Sequence, residues 1–315
     1  MYVAIGQRLL MGIPTLIGVS VVIFLLLNIL PGDPLAGLLA PDATQQDRDD
    51  LAASLGIDDP LPLRYVNWIN DLAHGDLGYS FSRRRDVADI LFTALKNTAI
   101  LAAAAAVLGI SVGLTLGTLA ALTNGRWMDR GISMIAVVGL SVPQFWLAIL
   151  LIIVFSANLR WLPASGMNEP NGTFVSSLKF LIMPAIAAAL VSIGNITRMT
   201  RSSLLQTYGE DFVMTLRAKG LHGWQIWLHA IKNAAPPIMT VAGLQVGFLL
   251  GGAVLVETIF SWPGMGQLIY QAIAARDLRL IQAAVLVLAL TFVLVNLVVD
   301  ILQTLVNPRL RRAGA

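Results

Sequence analysis

The chain has 315 residues, of which 57% are hydrophobic and only 12% carry a charged side chain. Because soluble domains carry roughly a quarter charged residues, this composition predicts a membrane protein. The sequence contains no cysteine, which excludes disulfides and thiol catalysis, and its net charge of +3 gives no reason to expect nucleic-acid binding.

Six uncharged apolar runs are each close to the length, about 20 residues, that lets a helix cross the hydrocarbon core of a bilayer. They are 9–30, 98–123, 131–159, 180–197, 234–256 and 280–299. The first run is too long for the apolar part of a secretion signal and has no small-residue cleavage site, so we expect it to stay as a helix. Pro143 and Pro184 lie inside the third and fourth runs and should kink those helices. The prediction is an all-α membrane protein with six transmembrane helices.

The orientation of the chain in the membrane is predicted from the positions of its basic residues. An even number of spans places both termini on one side, and the positive-inside rule discounts the long 31–97 loop. The C-terminal segment carries three arginines and no acid, which favours cytoplasmic termini. The predicted divisions are a tail and first helix at 1–30, an extracytoplasmic loop at 31–97, a membrane core of helices two to six at 98–306 with a cytoplasmic loop at 198–233, and a cytoplasmic tail at 307–315.

The 31–97 loop is too long to be a simple connector. Five apolar residues in it share one face of a predicted helix, and these are Leu61, Tyr65, Trp68, Ile69 and Leu72. The face is consistent either with an interfacial helix anchored by aromatic side chains or with a surface that docks a soluble binding protein. For docking, the candidates are Tyr65, Trp68, Asp76 and Tyr79.

Two of the predicted spans carry glycine at every fourth residue, a spacing that lets helix backbones approach closely in lipid. The first stripe is Gly109, Gly113 and Gly117, and the second is Gly243, Gly247 and Gly251. The first is consistent with packing inside one subunit or with a pathway, whereas we expect the second to line the passage.

Glu257, at the end of the fifth span, is either an interface residue or a gate residue, and Arg276 could pair with it. The candidate pathway and gate residues are Pro143, Gln144, Gly243, Gly247, Gly251 and Glu257.

A basic segment at 207–231 separates two apolar runs and is predicted to form two short helices. Thr207 and Glu210 have the spacing of a capping box, and Gly220 can take the left-handed conformation that ends a helix. A second apolar set at helical spacing comprises Trp224, Trp227, Leu228 and Ile231, and this helix is expected to end at the Pro236–Pro237 pair.

Several motifs in this order resemble those of one family. The run MTLRAKG (214–220) resembles the E-A-A-x-x-x-G signature of ABC-importer permeases, with Met214, Thr215 and Leu216 standing in place of E-A-A. The form R-A-K-G-L (217–221) is similar to the dipeptide, oligopeptide and nickel branch, as are PGDP (31–34), GDLGYSF (75–81) and VETIFSWPGMGQL (256–268).

The resemblance implies the type I importer fold and identifies the chain as the first of two paired permeases. It also implies that the loop forms coupling helices that dock on an ATP-hydrolysing subunit. The residues concerned are Glu210, Asp211, Met214, Thr215, Leu216, Arg217, Ala218, Lys219, Gly220 and Leu221.

The leading hypothesis is therefore a permease subunit that forms, with a homologous partner, the path for dipeptides or oligopeptides. The chain has no phosphate-binding loop and we expect no cofactor or metal in it, so ATP and Mg would be bound by two partner ATPases. An extracytoplasmic binding protein is the further implied partner. Nickel, glutathione or another small solute remains an alternative cargo on the same scaffold. A self-sufficient secondary transporter is a different alternative, but the six runs lack the ionisable residues that ion coupling needs.

Overall fold

The computed structural model describes residues 2–29, 44–46, 59–80, 82–168 and 174–306. The described residues are mostly helical and include a two-stranded antiparallel hairpin in which Tyr79 pairs with Asp86 and Ser80 with Arg85. In chain order the elements are α1 (Tyr2–Ile29), α2 (Leu61–Ala73), β1 (Tyr79–Ser80), β2 (Arg85–Asp86), α3 (Val87–Leu122), α4 (Trp127–Ser141), α5 (Gln144–Leu151), a π-helical segment (Ile152–Asn158), α6 (Phe174–Tyr208), α7 (Asp211–Ala218), α8 (Gly223–Gly252), α9 (Val254–Ile259), α10 (Met265–Ala274) and α11 (Leu278–Val306).

Five of the described helices are long and apolar enough to cross a membrane, namely α1, α3, α6, α8 and α11. A sixth span results if α4 and the bent segment that follows it are taken together. Each predicted apolar run overlaps one of these segments. The predicted all-α membrane class with six spans is therefore confirmed. The PGDP motif and the 307–315 tail lie outside the described residues.

The helices extend beyond the apolar runs that predicted them. Helix α3 begins at Val87 rather than near 98, and α6 reaches Tyr208 rather than ending near 197. Charged residues ended the predicted runs, since Lys96 lies just before residue 98 inside α3 and Arg198 lies just after residue 197 inside α6. Charge limits how deep a residue can lie in lipid, but it does not end a helix, so the hydropathy boundary falls short of the helical one.

The third span is broken rather than kinked. The axes of α4 and the following segment differ by 101°. Val142 has extended backbone angles (φ −78°, ψ 123°), as expected for a residue before proline, and Pro143 is the N-cap of α5. The predicted kink is thus corrected to a full change of direction. Pro184, in contrast, lies within the continuous helix α6.

The expected end of a helix at Pro236–Pro237 is wrong, because α8 continues through both prolines to Gly252. Ala234 is buried with Trp227 before the pair, and Ile238 packs against the same apolar cluster after it. Packing on both sides therefore holds the helix together although two backbone hydrogen bonds are lost.

The chain divides into two compact units, each with its own apolar core. The first unit comprises Met1–Arg8, Ala99–Trp262 and Phe292–Ala315, and the second comprises Leu9–Thr98 and Pro263–Thr291. The core of the first unit includes Leu101, Met183, Phe260 and Trp262, together with many alanines. The core of the second unit includes Leu27, Val87, Leu268 and Leu280.

The first glycine stripe forms the contact between α3 and α6. A Cβ atom added at Gly109 would lie 2.9 Å from Cβ of Ser192, and one at Gly113 would lie 2.7 Å from Cβ of Ile196. At Gly117 an added Cβ would lie 2.6 Å from the carbonyl oxygen of Thr197. These distances leave no room for a side chain, so this stripe packs within one subunit, as one of its two interpretations predicts.

Candidate functional site

The predicted coupling loop is present as the short helix α7 and the turns on either side of it. Val213 and, in part, Phe212 and Leu216 face inward, while Met214 is 70% exposed. Of the ten candidate coupling residues, eight are exposed and only Leu216 and Leu221 are partly buried. The exposed eight are Glu210, Asp211, Met214, Thr215, Arg217, Ala218, Lys219 and Gly220.

The start of this loop differs from the prediction. Thr207 is still inside α6 and is buried, so it does not cap α7. Glu210 occupies the N-cap position, and its side chain makes no capping hydrogen bond. A reciprocal contact of this kind is found one helix later, where the His222 backbone N–H donates to Oε1 of Gln225 at 3.0 Å. The predicted capping box is therefore wrong, because α6 runs further than its apolar run.

The end of α7 is as predicted. Gly220 has φ +76°, in the left-handed region, and a Cβ added there would meet no atom within 4 Å. The Leu221 N–H donates to the Leu216 carbonyl at 3.2 Å, and the Gly220 N–H donates to the Arg217 carbonyl at 2.9 Å. These two bonds form a Schellman motif, which closes the last turn of a helix. Glycine is therefore required here for its backbone conformation and not for space.

The base of the loop is held by aromatic packing. The rings of Tyr208 and Trp227 stack with centroids 5.6 Å apart, and Trp227 belongs to a buried cluster with Leu204. The predicted apolar set of α8 is divided by this packing. Trp227 points inward, whereas Trp224 is 62% exposed, and Leu228 and Ile231 are exposed as well. The loop thus presents apolar as well as basic residues to its surroundings.

A buried ion pair that the sequence did not reveal lies in the same unit. The Arg201 guanidinium on α6 donates to both carboxylate oxygens of Asp129, with Nε–Oδ1 at 2.5 Å and Nη2–Oδ2 at 2.8 Å. The side chain of Asp129 is only 5% exposed, and it also accepts the Gly125 N–H at 2.9 Å. This bidentate pair joins the first turn of α4 to α6 seven residues before α6 ends at Tyr208. The sequence contained only a weak signal, because Asp129 stands next to Arg130 before the third run and Arg201 follows Arg198 after the fourth.

The candidate pathway residues at the break have defined contacts. Gln144 follows Pro143 and begins α5, and its amide Nε2 donates to the Ala188 carbonyl of α6 at 3.3 Å. A second polar contact joins α6 to α8, where Ser192 Oγ donates to Gln245 Oε1 at 3.1 Å. Sequence reasoning did not single out Ser192 or Gln245. The role of Pro143 and Gln144 in a passage stays a prediction.

The second glycine stripe also meets side chains of its own chain. Gly243 and Gly247 are buried, and a Cβ atom added at Gly247 would lie 2.8 Å from Oδ1 of Asn296 on α11. Gly251 is exposed, and an added Cβ there would lie 3.9 Å from the Phe292 ring. Gly247 therefore has a packing role in one subunit, and the pathway role of the stripe stays a prediction.

Glu257 does not end a spanning helix as predicted. Helix α8 stops at Gly252, and Glu257 lies in the short helix α9 with only 1% of its surface exposed. Its carbonyl oxygen accepts the Trp262 N–H at 2.8 Å, which helps to close the turn after α9. Burial excludes an interface residue that faces lipid headgroups, and the gate role with Arg276 stays a prediction.

Two of the candidate docking residues instead pack inside the second unit. Trp68 is 5% exposed and stacks on Phe24 of α1 with centroids 6.0 Å apart. The Tyr65 ring meets the edge of Phe24 at 5.3 Å, and its hydroxyl is hydrogen-bonded to Ser20 Oγ at 2.8 Å. These contacts fix α2 on α1, so both rings pack against their own chain, and the choice between an interfacial anchor and a docking surface stays a prediction.

The other two docking candidates lie at the hairpin. Asp76 is exposed, and its Oδ1 accepts the Gly78 N–H at 2.8 Å, while Tyr79 of β1 is 42% exposed. Their docking role stays a prediction. Phe81, the last residue of the GDLGYSF motif, lies outside the described residues.

Known families match this chain along most of its length. A family model described as "Binding-protein-dependent transport system inner membrane component" matches residues 113–312. The chain belongs to this family. A model of the N-terminal part of such membrane components matches residues 1–102. Membership establishes a multi-pass inner-membrane component of an ABC importer, so the predicted family is confirmed.

Several relatives are similar in sequence to this chain along nearly its whole length. The dipeptide transport system permease protein DppB of Alkalihalophilus pseudofirmus is 39% identical over 97% of this chain and 98% of the relative. The di/tripeptide transport system permease protein DppB of Pseudomonas aeruginosa is 39% identical over 98% of both. The glutathione transport system permease protein GsiC of Escherichia coli is 40% identical over 97% of both.

Among solved structures, a chain of the inward-facing MetNI methionine ABC transporter matches with a TM-score of 0.57 at 18% identity. The match covers 69% of this chain and 96% of that chain. At this identity the likeness concerns the fold alone, and it confirms the predicted type I importer permease fold.

Proposed function

We propose that this chain is one of two paired permease subunits of an ATP-driven importer of dipeptides and oligopeptides. The proposal is supported by two peptide permeases that are 39% identical to it along nearly the entire chain. Peptides would cross between this subunit and a homologous one after delivery by an extracytoplasmic binding protein. Both termini would be cytoplasmic, which places the turn between α6 and α8 on the cytoplasmic side.

The observation that carries the coupling role is the geometry of α7. A helix of eight residues is closed by a Schellman motif, keeps its inner face on the protein and exposes Met214, Arg217 and Lys219. A short helix with exposed apolar and basic side chains is suited to insertion into a groove of another protein. One of the two ATPase subunits would bind here, and the other would bind the homologous permease.

The chain's own part in transport would be mechanical. ATP hydrolysis in the partner subunits supplies the free energy, and α7 transmits their movement to α6 through the two-residue link at Gly209 and Glu210. Helix α6 packs against both α3 and α8, so a displacement of its end reaches the helices that carry both glycine stripes. Two alternative packings of α8 against the α3–α6 pair would then open the passage to one side or the other.

Glutathione is a second candidate cargo, favoured by the 40% identical glutathione permease. Glutathione is itself a tripeptide, so both cargoes share amide bonds and carboxylates. Uptake into proteoliposomes that contain the complete importer distinguishes the two. ATP-dependent accumulation of labelled dialanine supports the peptide proposal, accumulation of labelled glutathione alone supports the second candidate, and accumulation of neither rejects both.

Gly220→Ala tests the coupling role. A left-handed alanine costs about 1–2 kcal/mol, so we expect the end of α7 to unfold and the affinity for the ATPases to fall about 5- to 30-fold. The measurement is the ATPase concentration that gives half-maximal uptake.

Gly125→Ala is the matched control. Gly125 also has a left-handed φ of +77° and open space around it, but it lies in the α3–α4 turn. Equal effects of the two substitutions on ATPase affinity would reject α7 as the docking element.

A further inference from the structure

A cleft with a basic rim lies in the second unit, between the β1–β2 hairpin, α3 and α10. Its volume is about 460 Å³, which is within the range of small-molecule sites. Its lining contains two arginines and several amides but no carboxylate. The residues that decide its chemistry are Arg83, Arg85, Asn97, Gln267 and Gln271.

The arginines are presented by a turn that the fold holds firmly. Asp277, which is buried, accepts hydrogen bonds from Ser80 Oγ and Ser82 Oγ, both at 2.6 Å. The Ser82 N–H also donates to Asp277 at 3.3 Å. The backbone of the turn is therefore tied to the start of α11, and the guanidinium groups of Arg83 and Arg85 extend from a fixed base.

Neighbouring polar groups orient the cleft further. The Arg83 guanidinium donates to Oε1 of Gln271 on α10, which holds it at the rim. Asn97 donates through Nδ2 to the Pro263 carbonyl at 2.8 Å, which fixes the loop before α10. The rim therefore combines a positioned guanidinium with amide groups that are themselves anchored.

The floor of the cleft is apolar. Ile90, Ala94 and Leu268 line it and belong to the buried core of the second unit. A ligand that fits would carry a negative group for the rim and an apolar portion for the floor. Planar carboxylates match the paired N–H groups of a guanidinium.

We propose that this cleft binds a small solute through its carboxylate, with Arg83 and Arg85 as the charged donors and the Ile90–Leu268 floor receiving an apolar side chain. A short peptide with a free C-terminus has this chemistry. The proposal concerns binding by this chain by itself and does not rest on ATP-driven import.

The test compares two probes on the purified full-length chain in nanodiscs. N-acetyl-alanyl-alanine carries the carboxylate, and its C-terminal amide has the same size without the charge. We expect the acid to bind and the amide to bind at least about tenfold more weakly, because hydrogen bonds to charged groups are the stronger ones. Affinities are obtained by saturation-transfer NMR titration.

The Arg83→Gln/Arg85→Gln double variant should weaken binding of the acid about tenfold or more and leave the amide unchanged. Arg84→Gln is the matched control, since Arg84 is in the same turn but does not line the cleft. The Arg83→Lys/Arg85→Lys variant keeps the charge and should give an intermediate affinity.

Three results would overturn the proposal. One is equal binding of acid and amide to the unaltered chain, and another is equal weakening by Arg84→Gln and by the double variant. The third is that the chain binds neither probe while the double variant, unlike Arg84→Gln, abolishes stimulation of the assembled importer by loaded binding protein. In that case the carboxylate is supplied by a protein side chain and not by a small solute.

Discussion

Arg201→Met removes one partner of the buried Asp129–Arg201 pair and leaves a carboxylate that is only 5% exposed without its cation. Breaking a buried ion pair costs about 3–5 kcal/mol. The Arg201 side chain is 31% exposed, so water screens part of the interaction, and we expect about 3 kcal/mol, the lower end of that range. At about 2–4 °C per kcal/mol, the thermal midpoint should fall by about 6 °C or more.

The assay is thermal unfolding of the purified chain in nanodiscs, followed by scanning fluorimetry. Arg198→Met is the matched control, because Arg198 lies on the same helix and is exposed. The double variant Asp129→Asn/Arg201→Met removes both charges and should recover part of the loss. The reasoning is refuted if Arg201→Met and Arg198→Met have the same midpoint, or if the double variant is as unstable as the sum of the two single variants.

Two further substitutions test the packing. Gly113→Ala places a Cβ atom 2.7 Å from Ile196 Cβ and should destabilise by about 1–3 kcal/mol. Gly131→Ala on α4 meets nothing within 4 Å and should be neutral or stabilising by up to about 1 kcal/mol, so a lower midpoint for Gly131→Ala than for Gly113→Ala would contradict the account. Trp68→Ala opens the aromatic cluster on Phe24 and should cost about 3–5 kcal/mol, which limited proteolysis would detect as faster cleavage within α2. An unchanged cleavage rate would show that the cluster does not hold α2 in place.

The six spans could be predicted because uncharged runs of this length have few other uses in a protein. Their boundaries could not, since Lys96 and Arg198 stop a hydropathy run without stopping a helix. The capping box failed for this reason, because Thr207 remained inside α6. The left-handed turn at Gly220 could be predicted because a basic helical end followed by glycine is a local signal.

Proline ends a helix at one position and lies inside a continuous helix at another, because its effect depends on packing. Pro143 ends one helix and begins another, whereas Pro236 and Pro237 are accommodated inside α8. Nothing within a few residues of each proline distinguishes these outcomes; the buried neighbours of α8, such as Trp227, come from the fold.

Contacts between distant segments could not be predicted from the sequence. Asp129 meets Arg201 across 72 residues and Asp277 meets Ser80 across 197. A single sequence contains no signal for such partners. For the same reason, helical periodicity alone could not show whether Trp68 faces a partner or its own chain.

The glycine contact between α3 and α6 has a consequence for how these helices can move. Ser192 and Ile196 each lie over one glycine of the stripe, and Thr200 lies over the third. If α6 shifted by one or two residues along α3, these side chains would collide with the larger residues that separate the glycines of the stripe. Matching positions recur only every four residues, which is about 6 Å along a helix. Gradual sliding of α3 along α6 is therefore blocked, and the two helices move together as one rigid body.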